Sequence, residues 1–312
     1  MVFRAAYGYK VFLVAVCDAT GNIVGGMPVA EVDGPVAGKR WVSFPFSDHC
    51  VILCDEERYK IILKDYLTRG LASNEFGSME IRGDCPGAQA RSAPYLLHQL
   101  KLRDDPGKIF IDFKKTQTQQ CIRKAERSRI DVRIIQTQKA MEAFYRLMIM
   151  TRRSLGVPVQ PKRFFMSLWS LVISRGHGSI FLAHLDGRPV AGAIFLTFKN
   201  TIVYKYSASD PTYRKLRPNN LVLWKAIEWG CANGYDRLDL GRTDRSHAGL
   251  RNFKLGYGAS ESEICYSYIY GSHGRVSPVR RYGNARWSKY LIRKSPAFVC
   301  RVIGELFYRN MG

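Results

Sequence analysis

Ser179-Ile180-Phe181-Leu182-Ala183-His184, a turn at Asp186-Gly187, the run Val190–Phe198, a turn at Lys199-Asn200 and Ile202-Val203-Tyr204-Lys205-Tyr206-Ser207 follow one another in the second half of this chain. Three β-rich runs joined by two turn dipeptides predict an antiparallel meander. Leu221–Ala232 comes next, helical in spacing, apolar nearly all round and ended by Gly234, and Arg237–Leu240 reads as a short strand. A helix apolar on most faces must be covered on most faces, so it lies sandwiched. Ser246 is placed to cap a last core helix running to about Leu255, and Ser262–Tyr270 closes the pattern with alternating apolar residues.

Working back toward the N-terminus, Val11–Cys17 and Ile23–Val32 flank the turn Asp18-Ala19-Thr20-Gly21-Asn22, and Lys39–Phe44 offers a third strand. From Glu56 to Ser73, Ile61, Ile62, Tyr66 and Leu67 recur at helical spacing, and Phe76–Ile81 reads as another strand. Lys114–Ser128 has helical propensity and a strongly positive face. Met141, Phe144, Tyr145, Met148 and Ile149 mark an amphipathic helix over Met141–Leu155, and a further helix covers Phe164–Ser174. Phe46-Ser47-Asp48, a helix, then Met79-Glu80-Ile81-Arg82-Gly83 parallels Ala208-Ser209-Asp210, a helix, then Leu238-Asp239-Leu240-Gly241-Arg242. The intervals from Asp48 to Ile81 (81 − 48 = 33) and from Asp210 to Leu240 (240 − 210 = 30) differ by a short indel. Two copies of one α/β unit, or chance similarity of short strings, produce such a pattern. The fold expected is α+β or α/β, with mixed, mostly antiparallel sheets flanked by helices. Residues 1–136 form the first unit, 137–274 the second and 275–312 a tail. That tail carries nine basic residues (Arg275, Arg280, Arg281, Arg286, Lys289, Arg293, Lys294, Arg301 and Arg309) against Glu305, interleaved with aromatic and aliphatic side chains. Basic plus aromatic suits a polyanion or an interface.

Composition excludes wholesale disorder: of 312 residues, 46% are hydrophobic and 24% charged. The excess of 48 Lys and Arg over 26 Asp and Glu, a formal charge of +22, implies polyanionic company. Eight cysteines without a CxxC pair read as reduced thiols in a cytoplasmic protein. Val11–Cys17 is followed at once by Asp18 and reads as a buried strand rather than a signal-peptide core. No other uncharged run approaches the ~20 residues of a spanning helix. Gly34-Pro35-Val36-Ala37-Gly38-Lys39-Arg40 has three residues between its glycines where a phosphate loop needs four, and Arg40 stands where Ser or Thr would hold magnesium. GxGxxG and GxSxG are absent, and His49, Cys50, Cys54 and the other histidines lack metal-ligand spacing, so they read as structural or surface residues and no metal is expected.

Between Asp239 and Lys254 a strand ends at Gly241-Arg242 and a helix begins a few residues later. Backbone N–H groups and Arg side chains gather there around one mouth, a geometry for an anion. On the helix, His247, Arg251 and Lys254 make a polar stripe beside the apolar Leu250, Phe253 and Tyr257; alone, that polar stripe fits a solvated face as well as a site.

Ile122-Arg123-Lys124-Ala125-Glu126-Arg127, Ser209-Asp210-Pro211 with Tyr213-Arg214, Arg217-Pro218-Asn219-Asn220, Gly234-Tyr235, Asp239-Leu240-Gly241-Arg242 and Phe253-Lys254 to Gly258-Ala259 resemble, in order and spacing, the FemAB-like branch of the GNAT acyltransferases. With the basic tail, the chain is similar to the FemAB-like proteins of exosortase and exopolysaccharide systems. The resemblance implies two tandem GNAT-like domains. It implies an N-acyltransferase that moves an acyl or aminoacyl group onto an amine of a peptidoglycan, cell-envelope or exopolysaccharide precursor, with acyl-CoA or aminoacyl-tRNA as co-substrate and no tightly bound cofactor. Carried onto this sequence, it makes Lys254 the stabiliser of the oxyanion or of an acceptor phosphate and Asp239 the group orienting the nucleophile. Arg214, Arg217 and Arg242 become phosphate ligands, with Arg251 and Phe253 at the substrate. No general base is evident. The family's pyrophosphate turn is replaced by Arg214-Lys215-Leu216-Arg217-Pro218-Asn219, without its two glycines, which weighs against a close cradle for coenzyme A. The chain also opens almost at the first hairpin, without the leading helix common in the family, so the expectation is either an incomplete first domain or a misassigned start codon. Lys114–Arg133 and residues 275–312 offer surfaces for tRNA or for the anionic inner face of a membrane. A sugar N-acetyltransferase and a non-catalytic nucleic-acid-binding protein on a decayed scaffold remain the alternatives.

Overall fold

The computed structural model describes residues 1–34, 38–73, 76–271 and 286–311. Helix α1 (Val2–Tyr7) leads into strands β1 (Val11–Cys17), β2 (Ile23–Gly34), β3 (Gly38–Val42) and the short β4 (Leu53–Cys54), then helix α2 (Glu57–Ala72) and strands β5 (Ser78–Ile81) and β6 (Ala90–Lys101). Helices α3 (Pro106–Asp112) and α4 (Gln120–Arg127) precede β7 (Asp131–Ile135), α5 (Gln138–Leu155) and α6 (Lys162–Leu171). The meander is β8 (Gly178–Leu185), β9 (Arg188–Phe198) and β10 (Thr201–Ser209); α7 (Pro218–Ala232), β11 (Arg237–Asp244), α8 (Ala248–Gly256) and β12 (Ser260–Tyr270) complete the second half, and α9 (Arg286–Lys294) and α10 (Ala297–Phe307) lie in the tail.

All the described strands join one mixed sheet in the order β1-β2-β3-β5-β12-β6-β11-β10-β9-β8-β7, with β4 on β2. Among the described residues, only β3–β5 and β10–β11 pair in parallel. Each parallel pair holds three residue pairs: Arg40–Ser78, Trp41–Met79 and Val42–Glu80 in one, Thr201–Arg237, Ile202–Leu238 and Val203–Asp239 in the other. Glu80 and Asp239 therefore occupy the same register position, and α2 and α7 are the corresponding crossovers.

Helix α7 is apolar all round because two layers cover it. Phe181, Ala191, Ala193 and Phe195 of the sheet pack on one side, and Ile109 of α3, Phe113 just after it, and Ile122 and Ala125 of α4 close the other. Ile109, Phe113, Ile122, Ala125 and Ile130, placed by sequence in the first unit, are thus buried against the second. Each fully buried Leu, Ile or Phe stabilises by roughly 1.5–3 kcal/mol, so this layer belongs to the core of the site-bearing half.

Four sequence expectations are corrected. Val2–Tyr7 is a short leading helix, with Phe3 and Tyr7 stacked on Phe164 of α6. In α2 the buried stripe is Leu63, Leu67 and Leu71, whereas Ile61, Ile62 and Tyr66 are exposed; both faces carry apolar residues and the sheet takes the leucines. Strand β6, unforeseen, contains Pro94, which lacks a ladder donor; the strand bulges there, Ala93 and Pro94 together opposing Cys265 of β12 between the Tyr95–Ile264 and Ser92–Tyr266 pairs. Strand β11 runs on to Asp244, so α8 starts later and its cap is His247, whose Nδ1 accepts from the Leu250 amide, while Ser246 bonds Asp244. In the tail, Arg275, Arg280 and Arg281 lie outside the described residues. No described helix is long and apolar enough to cross a membrane.

Candidate active site

Parallel pairing of β10 and β11 stops after Val203–Asp239; beyond it β10 follows β9 and β11 follows β6, so the two strands splay. Two bulges sharpen the divergence: β10 shifts register between Tyr204 and Tyr206, and β11 between Asp239 and Arg242. Into the opening comes a loop of the other half. Phe44 and Phe46, both at positive φ, fold residues 44–50 over the splay. The carboxylate of Asp48 lies against Gly241, where a Cβ would stand 2.5 Å from Asp48 Oδ2 and where φ is +71°. Only glycine satisfies both conditions.

Four groups meet around that contact. Arg242 Nε is 3.5 Å from Asp48 Oδ1, its guanidinium lies 4.1 Å from the Tyr95 ring centroid, and it also donates to the Tyr266 hydroxyl. Tyr266 in turn donates to the Asp48 carbonyl at 2.7 Å. Lys205 Nζ, half-way along β10, donates to the Phe46 carbonyl at 2.8 Å, and burial lowers its pKa. Asp239, only 3% exposed, accepts from the Gly241 amide at 2.7 Å and from His49 Nε2–H at 3.0 Å. That hydrogen bond raises the His49 pKa above 6.5, against the opposing effect of burial. Asp48, Lys205 and Arg242 line a cleft of about 370 Å³ together with Arg152, Tyr206 and Tyr308.

The sequence-derived site residues divide. Arg242 and Asp239 are brought together. Lys254 is beside them, but 3% exposed, with Nζ donating to the carbonyls of Gly241 at 2.7 Å and Arg242 at 3.0 Å. It is no part of a solvated stripe; it ties α8 to the strand end that carries Arg242. Burial pulls its pKa down to about 8, with Asp48 and Asp239 opposing. Arg214 is exposed and donates to Ser154 Oγ at 2.7 Å, next to Leu155 of the cleft wall. Arg217, also exposed, holds the left-handed position before α7 with φ +63°. Arg251 turns outward onto Glu261, in a bidentate pair of 2.8 and 2.7 Å, and Phe253 packs edge-on against Tyr257; neither borders the cleft. Asp48, His49 and Lys205 went unnoticed as site residues. The repeat offered one clue, since it set Asp48 opposite Asp210; yet Asp210 only caps a turn, accepting from the Thr212 amide at 2.9 Å.

A strand splay beside a crossover helix, with cationic side chains in it, is joined by a sequence match: residues 113–255 fit the acetyltransferase (GNAT) domain family. That match marks a GNAT-type acetyltransferase domain over those residues. Beyond the matched residues, the fold of the whole chain is shared with several solved structures. The crystal structure of FemX superposes with a TM-score of 0.68 at 13% identity, over 86% of this chain and 91% of that one. L-PGS from Bacillus licheniformis gives 0.58 at 13% identity, over 95% and 89%. The C-terminal domain (DUF2156) of a putative lysylphosphatidylglycerol synthetase from Agrobacterium fabrum gives 0.57 at 12%, over 86% and 85%. At such identities the shared property is the fold. No curated protein matches the sequence. The GNAT domain takes in α4, α7, β11 and nearly all of α8, while Asp48 and His49 reach it from outside its matched residues.

Proposed function

We propose that the protein is an N-acyltransferase that moves an acyl group onto an amine of a cell-envelope precursor bound between the two halves. The carrying observation is the Asp239–His49 pair, which joins a buried carboxylate of the GNAT domain to an imidazole of the first half. With Nε2–H fixed on Asp239, His49 Nδ1 is the proton acceptor. The neutral amine attacks the donor carbonyl, a C–N bond forms, and the donor's thioester or ester bond breaks. The amine proton passes to Nδ1 and then to the leaving group. Lys205, with N–H groups beyond the one held by Phe46, faces the oxyanion, and Arg242 holds an anionic group of the acceptor. Lys254 and Asp239 act by positioning. Arg214, Lys215 and Arg217 supply charge for a donor phosphate ahead of α7. The backbone supplies little there, because Pro218 has no N–H and the Asn220 amide is bonded to the Arg217 carbonyl at 3.0 Å.

A buried carboxylate paired with His49, next in sequence to Asp48 of the cleft wall, argues against a decayed, purely nucleic-acid-binding scaffold. The fold shared with proteins named for lysylphosphatidylglycerol synthesis agrees with an acceptor of the cell envelope. Thermal shift with acetyl-CoA, longer acyl-CoAs, UDP-sugars and tRNA tests the donor, since a ligand at a hundred times its Kd stabilises the fold by about 2.7 kcal/mol. Stabilisation by an acyl-CoA, and loss of thiol release in His49→Gln, support the assignment. Stabilisation by tRNA alone moves the donor to an aminoacyl ester. No response to any of them rejects the reading.

A further inference from the structure

Helix α10 has two apolar faces, and the fold uses one. Cys300, Gly304 and the following Tyr308 are buried against the body of the protein, with Cys300 Sγ 3.4 Å from the Val157 carbonyl. On the opposite side Phe298, Val302 and Leu306 stand at i, i+4 and i+8 and are 62%, 50% and 64% exposed. Spacing of four residues aligns them in one stripe along the helix. Tyr290 and Leu291 of α9 are exposed as well. Around them Arg293, Lys294, Arg301 and Arg309 are exposed cations. The single acid of the tail, Glu305, is turned to α6, accepting from the Lys162 amide at 3.3 Å with Arg163 at 3.8 Å.

We infer that this face docks on an anionic phospholipid bilayer, lying in the interface with Phe298, Val302 and Leu306 among the acyl-chain ends and the cations at the headgroups. Charge decides the occupant. A second copy would set cation against cation, and a nucleic acid would leave the apolar stripe wet, whereas an anionic bilayer satisfies both sets of side chains. With 11 residues, α10 is too short to span and of a length to lie flat. Its C-terminal end also reaches the cleft. Tyr308, the residue after α10, lines it and accepts from Arg152 at 2.6 Å. A protein seated on this face holds the cleft close to the headgroup level, where a lipid-carried acceptor would reside.

Vesicle flotation with the full chain tests the inference directly. The wild type is expected to float with vesicles of phosphatidylglycerol and phosphatidylcholine and to stay behind with phosphatidylcholine alone. The combined variant Phe298→Ser, Val302→Ser and Leu306→Ser, with an unchanged Tm, should lose at least about tenfold in bound fraction. Arg293→Glu with Lys294→Glu and Arg301→Glu should lose a comparable amount, and binding by the wild type should weaken as salt is raised. Equal flotation of the serine variant, or no flotation of the wild type, overturns the proposal. So does a wild-type dimer that the serine variant dissociates, because the stripe would then be an interface between copies.

Discussion

The two parallel strand pairs begin alike and end differently. After Val42–Glu80, the first pair is sewn shut: the Ser43 amide donates to the Glu80 carbonyl at 2.8 Å and Ser43 Oγ accepts from the Arg82 amide at 2.7 Å. Arg82 Nε then bonds Glu80 Oε1 at 2.8 Å with both side chains nearly buried, and its Nη1 donates to the Ser47 carbonyl at 2.8 Å. After Val203–Asp239, the second pair stays open, and the carboxylate in Glu80's register position turns to His49 instead. One half has spent its opening on fixing a loop; the other receives that loop in its own opening. The same strand–helix–strand arrangement thus serves as a wall in one half and as a frame in the other.

Breaking each side of this comparison gives different phenotypes. The largest effect expected is on chemistry: His49→Gln should lower kcat/KM by ~10²–10⁴, as loss of a general base does. The sign with pH follows from the raised pKa. His49 accepts a proton only when neutral, so wild-type kcat/KM rises with pH through an ionisation above 6.5, and that limb should vanish in the variant. A pH–rate profile unchanged in shape would remove His49 from the reaction. Arg82→Met should instead strike the fold first, leaving Glu80 buried without its partner at a cost of about 3–5 kcal/mol in denaturant unfolding; because Arg82 also holds the Ser47 carbonyl of the loop that carries His49, turnover of the remaining folded protein should fall as well, but by less than in His49→Gln. Lys254→Met is a middle case. The wild-type lysine, with a folded pKa of about 8 against 10.5, binds its proton more weakly in the folded state. Its contribution to stability therefore improves as pH rises from 8 toward 10.5 and is least favourable below 8. The Tm difference between wild type and Lys254→Met should shift in the wild type's favour across that window. The smallest effect is expected for Arg251→Ala, an exposed pair with Glu261 worth less than about 1 kcal/mol, with kcat/KM near that of the wild type.

How much of this was legible in the sequence depended on whether a signal was local. The meander, α7 and the repeat rest on alternation, helical spacing and turn dipeptides, all read within a few residues. Strand β6 was hidden because Pro94 interrupts its pattern; the strand keeps its ladder by bulging at Ala93-Pro94 against a partner some 170 positions later. Arg242 and Asp239 were legible as a strand end with charge. His49 was not, because its partner lies 190 residues away and nothing beside it in the sequence distinguishes it from a surface histidine. Lys254 illustrates the converse: helical spacing set it on a polar stripe, while the carbonyls of Gly241 and Arg242 draw it inside.

Strand β12 has a consequence for how the molecule is made. It lies between β5 and β6, so a strand drawn from the last part of the sheet separates two strands of the first. During synthesis, β5 and β6 wait with unsatisfied edges until residue 270 has cleared the ribosome, and neither half can finish before the other. Chaperone dependence of the nascent chain, rather than stability of the finished one, is where that topology should be felt.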